Sequence, residues 1–325
     1  MKIMKIGVAT AVLAALWLSP VAATAQDWPA RPVRIVAPFA AGGSADTLGR
    51  IVAERLSDSL KQNFFVENRG GAGGLIGSAQ VANAEADGYM FVISGIASHV
   101  IAPATNPNAG FDPIKSFTHI AYLGGPPIVL IAHPSLGVRS LKDLVAKAKT
   151  SSDARGYVSP GAGTLGNLVA EYWGRKENIN VEHIPYKGAA QAVTDLIAGH
   201  VKVGSMTWTT AHAQISAKKV ITLAVSSARR IPEFPDVPTF KELGYDDLVA
   251  TTWFSFSGPA ELPKDIVQRL NQEIIKALDT PEVRRKLDQE AIETEKMSPE
   301  AFTRFVESEI GRWGPIAKQV VDRTQ

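Results

Sequence analysis

Residues 118–134 read THIAYLGGPPIVLIAHP. β-branched and aromatic residues on either side of the centre predict strand. Gly124-Gly125-Pro126-Pro127 interrupts it. A central strand does not accommodate proline, so the break predicts that the chain leaves one sheet here and enters another, a crossover between domains.

Upstream of the crossover, VRIVAPF (33–39), NFFVEN (63–68) and YMFVISG (89–95) predict strands. Between them lie a helix with an apolar face of Leu48, Ile51, Val52 and Leu56, and a small-residue helix running to about Ala86. Ser44 or Asp46 is placed to cap the first of these. The βαβαβ rhythm predicts an open parallel sheet. Downstream the pattern recurs. Ser140 opens the helix LKDLVAKAKT, and RGYVS, NVEHIPYKG, HVKVGSM and KKVITLAVSS supply further strands. LVATTWFSFSGPA (248–260) predicts a strand that crosses back, and Leu262-Pro263 starts an amphipathic helix. Ser298-Pro299-Glu300 caps a last helix, which Gly314-Pro315 is expected to bend or break. Two crossovers between two α/β units predict a hinged body with a ligand cleft between the lobes. Residues 26–125 with 250–325 form lobe 1 on this reading, and 126–249 form lobe 2. Ligands in such sheets sit beyond the carboxyl ends of the strands.

The N-terminus carries Lys2 and Lys5, an apolar run from Ile6 to Leu18, and Ala23-Thr24-Ala25. These are the parts of a secretory signal peptide, with cleavage expected after Ala25. The apolar run is shorter than the roughly 20 residues of a membrane span. The chain of 325 residues contains no cysteine, so an exported product must be held by its core rather than by disulfides. The same absence rules out thiol catalysis and Cys-ligated zinc. Lys and Arg number 34 and Asp and Glu 32, interspersed without a basic stripe, which argues against a nucleic-acid partner.

Three Gly-rich loops each join a predicted strand to a predicted helix: PFAAGGSADT (38–47), NRGGAGG (68–74) and SPGAGT (159–164). Unpaired N–H groups and the positive end of the helix dipole attract anions at such places. Ser44, Ser159 and Thr164 add hydroxyl donors. A pair of these loops on opposite lobes predicts a ligand gripped from both sides. Gly161-x-Gly163-x-x-Gly166 also matches the dinucleotide fingerprint, with Glu182 near the place of a ribose-binding acid. However, such a loop normally opens its nucleotide-binding domain, and here it follows another α/β unit in a chain read as exported. No cofactor is expected. The six histidines form no H-x-x-x-H pair, and no G-x-S-x-G elbow occurs. Asp46 is read as a cap or loop organiser rather than an acid–base group. His99, just after the third strand, either faces the cleft or serves the structure.

WPARPVRIVAPFAAGGSADTLGRIVAERL, FFVENRGGAGGLIGSAQVANAEADGY, HIPYKGAAQAVTDLIAGHV and LAVSSARRIPEFPDVPTFKELGY occur in that order. From about Trp28 to Trp313 the chain resembles the Bug proteins, the extracytoplasmic solute-binding subunits of tripartite tricarboxylate transporters. The resemblance implies a type II periplasmic-binding-protein fold, a periplasmic location and a carboxylate ligand held between two lobes. It further implies a small and a large membrane subunit as partners, and a monomer. Carried over onto this sequence, it places Phe39, Ala41, Gly42, Gly43, Ser44 and Asp46 on one side of the ligand and Ser159, Gly163 and Thr164 on the other. The chain departs from the pattern at Gly70, Leu165 and Asn167, where many members have Pro, a polar residue and His. In GSMTWTT (204–210), Met206 stands where many members have an Asp that would pair an ammonium group. That replacement argues for an aromatic or aliphatic mono- or dicarboxylate rather than an amino acid. His99, Thr207 and Trp208 complete the candidate ligand contacts. Trp208 either stacks on a ligand ring or packs within its lobe. The expected function is capture of a small organic carboxylate (a di- or tricarboxylate or an aromatic carboxylate) by hinge closure and its delivery to the transporter, without catalysis. A periplasmic carboxylate sensor and an exported α/β enzyme are the alternatives.

Overall fold

The computed structural model describes residues 28–186 and 189–321; the leader expected at 1–25 lies outside them. In chain order the main elements are β1 (Val33–Ala37), α1 (Ser44–Leu60), β2 (Phe64–Asn68), α2 (Leu75–Ala82), β3 (Met90–Gly95) and α3 (Ala102–Thr105). There follow β4 (Phe117–Gly124), β5 (Ile128–Ala132), α4 (Leu141–Ala148), β6 (Gly156–Ser159), α5 (Leu165–Lys176), β7 (Glu182–Pro185) and α6 (Ala189–Ile197). The chain ends with β8 (Val203–Thr207), α7 (Trp208–Ser216), β9 (Ile221–Val225), β10 (Phe254–Pro259), α8 (Lys264–Leu278), α9 (Pro281–Gln289) and α10 (Pro299–Val321). A π-helical turn, Ala97–Ile101, joins β3 to α3.

The strands form two five-stranded sheets, β2-β1-β3-β10-β4 and β7-β6-β8-β5-β9. Within each, the three strands that feed helices run parallel: β1 pairs with β2 and β3, and β6 with β7 and β8. The fourth strand of each sheet is antiparallel and arrives from the other lobe, β10 beside β3 and β5 beside β8. The two lobes therefore share one plan and exchange a strand. The two connecting segments lie side by side, with Pro127 bridged to Thr251 and the Thr252 N–H donating to Pro126 O at 2.9 Å. The glycine pair read as a crossover is needed by this contact. Gly124 has φ +85°, and a Cβ on Gly125 would stand 2.1 Å from Thr252 O.

Lobe 1 has its own core, in which Leu48, Val52 and Leu56 of α1 meet Leu270 and Ile274 of α8 over Phe91 and Phe256. A second core joins the lobes. It unites Tyr122, Val100 and Ile101 of lobe 1 with Leu141, Tyr157 and Trp173 of lobe 2, and α10 inserts Phe302, Val306, Trp313 and Ala317 into it. No break occurs at Gly314-Pro315, because α10 runs through Pro315. An interior proline costs about 3 kcal/mol. Burial of Trp313 and Ala317 on either side of it, at about 1.5–3 kcal/mol for a large apolar side chain, offsets that cost. The helix α9 was not predicted. Only Val283 and Leu287 of it are buried, too few apolar positions for a periodic signal.

Candidate functional site

The carboxyl ends of β1, β2 and β3 face those of β6, β7 and β8 across the cleft. A cavity of about 570 Å³ lies between them. From lobe 2 it is lined by the starts of α5 (Gly163, Thr164, Leu165, Gly166), α6 (Ala189) and α7 (Thr207, Thr210). Lobe 1 contributes Phe39, the Ala72-Gly73 turn, Leu75, and the π-helical turn with α3. Ile128 and Thr252 close it at the crossovers. None of the described residues lining it carries a charge. An anion held here would be held by dipoles. The first N–H groups of a helix have no acceptor within it, and Leu165 and Gly166 open α5.

Each loop is braced from behind. Thr164 caps α5, its Oγ1 accepting the Asn167 N–H at 3.3 Å and donating to Gly161 O at 2.8 Å. The Gly163 N–H, in a residue with φ +74°, donates to Asn167 Oδ1 at 3.0 Å. Asn167 Nδ2 donates to Tyr157 Oη at 2.7 Å, and that hydroxyl donates to Glu171 Oε1 at 2.9 Å. Burial and the adjacent Glu171 carboxylate push the Tyr157 hydroxyl far up, so it stays a donor. Asn167 and Tyr157 are thus positioning residues. The unusual Asn at 167 was the sequence signal for the first of them; nothing local pointed to Tyr157.

In lobe 1, Asp46 plays the matching part. Its Oδ2 accepts the Gly42 N–H at 3.0 Å, its Oδ1 accepts Asn68 Nδ2 at 3.1 Å, and Arg50 grips both oxygens. The hydrogen bond from the Arg50 guanidinium holds the carboxyl below the usual Asp range. Gly43 is the N-cap of α1 and has no side-chain cap; Ser44 is the first helical residue. The helix cap expected at Ser44 or Asp46 is corrected accordingly: Asp46, 5 % exposed, organises the loop from inside the first turn and lines neither this cavity nor the one adjoining it.

Of the predicted contacts, the fold brings Phe39, Gly163, Thr164 and Thr207 onto one cavity. Gly42, Gly43 and Ser44 line an adjoining cavity of about 420 Å³ that shares Thr210 with the first. Ala41 is exposed beside them. Three residues are placed elsewhere. Ser159 is buried, its Oγ 2.8 Å from His183 Nε2 and accepting the Gly161 N–H at 3.2 Å, so it shapes the loop instead of lining the cavity. His99 is fully buried against Phe111 and Phe117, with Nδ1 3.1 Å from Ser98 Oγ, and burial holds its pKa well below the ordinary value. Trp208 is fully buried and packs edge-on to Phe234, with ring centroids 5.1 Å apart. Of the two readings open for Trp208, its placement is that of packing within the lobe. Met206 points into the same lobe 2 core. The case against an ammonium ligand therefore passes from position 206 to the lining itself.

Residues 48–321 match the family described as "Tripartite tricarboxylate transporter family receptor". The chain belongs to this family. Among its relatives, BugT of Bordetella pertussis is 31 % identical over 297 residues, covering 91 % of each chain. The receptor fold recurs in Rpa4515 of R. palustris, solved with adipate, at 32 % identity and a TM-score of 0.80, covering 90 % of this chain and 98 % of that one. It recurs again in MatC of Rhodopseudomonas palustris, solved with malate, at 27 % identity and a TM-score of 0.77, covering 89 % and 100 %. The type II periplasmic-binding-protein fold expected from the sequence is the fold of this receptor family.

Proposed function

We propose that this receptor captures a small organic carboxylate in the periplasm and hands it to the small and large membrane subunits of a tripartite tricarboxylate transporter. The carrying observation is the cavity between the lobes, lined by no charged side chain among the described residues, onto which the starts of α5, α6 and α7 converge. Convergent helix starts on the lobe 2 side replace the water of a carboxylate by fixed N–H donors. The two side-by-side crossovers supply a hinge, and closure over the ligand presents one surface made of both lobes to the membrane subunits. In this reading the protein carries out no chemistry, acts as a monomer, and leaves the cytoplasm by its 1–25 leader.

The testing experiment is calorimetry of residues 26–325, refolded to strip any retained ligand, against a carboxylate panel containing adipate and malate. Saturable binding is expected, with a stability gain of about 2.7 kcal/mol at 100 times Kd. Failure of every carboxylate, or an equal gain from NAD, overturns the reading. N-terminal sequencing of the periplasmic product is expected to begin at Gln26.

A further inference from the structure

The two walls of the cavity differ in chemistry. The lobe 2 wall is made of helix starts. The lobe 1 wall presents the side chains of Phe39, Leu75, Ile96, Ala97, Ile101 and Ala102, beside the Ala72-Gly73 turn and the Asn106 amide. The polar side chains that do reach the cavity are largely spent within the protein. Thr105 Oγ1 donates to Ile101 O at 3.0 Å, Thr207 and Thr210 bond each other at 2.8 Å, and Thr164 is committed to its cap. Asn106 Oδ1 accepts the Asn108 N–H at 2.9 Å. Thr252 differs: its Oγ1 is buried without a partner, enough for one ligand oxygen. No acidic side chain lines the cavity among the described residues. Lys187 and Gly188, which fall outside them, bring no carboxylate either.

We infer that the ligand is an amphipathic monocarboxylate. Its carboxylate sits at the helix starts of lobe 2, and its uncharged aliphatic or aromatic body lies against lobe 1. An ammonium group would be desolvated without an acid to meet it. Extra hydroxyls would be buried against a wall whose side chains, Asn106 apart, offer them little, at about tenfold in affinity each. A second carboxylate would face methyl groups. A cavity of about 570 Å³ is within the usual range of small-molecule sites and leaves room for a body of several carbons.

This inference rests on the carboxylate-receptor reading, and one titration series separates the two. The refolded protein is titrated with butyrate, hexanoate, octanoate and phenylacetate, and with adipate, malate, citrate and 2-aminohexanoate. The expected result is a Kd that tightens about fourfold per added methylene until the cavity fills. Adipate and 2-aminohexanoate should bind at least tenfold more weakly than hexanoate. If adipate, malate, citrate or the amino acid binds more tightly than hexanoate, the inference is overturned and the receptor reading stands. If no carboxylate binds at all, both fall.

Discussion

Gly163 and Ile101 face each other across the cleft, one from each lobe: a Cβ built on Gly163 would stand 3.8 Å from Ile101 Cγ2. That separation is an ordinary contact, so space is not what demands glycine. The backbone is, since φ at Gly163 is +74°. Gly163→Ala is expected to cost about 1 kcal/mol of stability from the left-handed conformation alone. Because the change also disturbs the loop that receives the ligand, affinity should fall by more than the melting temperature implies. Thermal melts paired with calorimetry of the bound carboxylate check both parts.

Asn167 holds that loop by accepting the Gly163 N–H and donating to Tyr157. Asn167→Ala leaves the half-buried Gly163 N–H without its acceptor and opens a gap at the buried Asn167 site, and is expected to destabilise the protein by about 1–3 kcal/mol. Tyr157→Phe should cost less. Since the two share a hydrogen bond, the double variant should cost less than the two single costs added together. Additive losses in urea melts would mean that the Asn167–Tyr157 hydrogen bond does not couple the two side chains.

Trp208 separates core from cleft. Trp208→Ala is expected to lose about 3–5 kcal/mol, the usual range for a buried aromatic. The milder Trp208→Phe should melt earlier yet bind the ligand with unchanged Kd. A Kd that weakened tenfold in the folded Phe variant would put the indole back at the ligand.

Asp46 has a carboxyl pKa held below its ordinary value by the Arg50 guanidinium. Its contribution to stability is present above the usual Asp range and is lost as pH falls through the lower folded value. Asp46→Asn should therefore lower the melting temperature at pH 7, and the gap from the parent should close on acidification below about pH 4. Ligand affinity at pH 7 should drop with it, because the Gly42 N–H loses its charged acceptor. Melts from pH 2.5 to 7 follow this directly.

His119 lies buried in lobe 1, with Nε2 donating to Pro113 O at 3.1 Å and Nδ1 3.2 Å from Ser257 Oγ. Burial lowers its pKa from 6.5 to about 4. The unfolded chain takes up this proton more readily, so the associated stability is whole above about pH 6.5 and drains away as pH falls toward 4. That gap is worth about 3 kcal/mol. Denaturant midpoints measured between pH 7 and 4 should slope downward, and His119→Gln should flatten the slope.

The alternation of strand and helix, the crossover at Gly124-Gly125-Pro126-Pro127 and the Gly-rich loops at strand ends were all legible from the sequence. Each is a local property: branched residues favour the pleat, proline breaks it, and glycine permits positive φ where a loop turns into a helix. What surrounds a side chain is not local. In GSMTWTT, alternation alone makes Met206 and Thr207 point opposite ways, but only the layers packed on the second sheet decide that Met206 and Trp208 enter the core and Thr207 meets the cavity. The same holds for His99, which follows a strand in sequence yet is sealed by Phe111 and Phe117. Asp46 reads equally well as ligand contact or brace until Asn68, from the next strand, arrives beside it. The helix α10 reads as a lobe 1 element until its far half is seen buried in the core shared with lobe 2. These outcomes depend on contacts between residues distant in the chain, where burial energy is set by whichever partner the fold delivers.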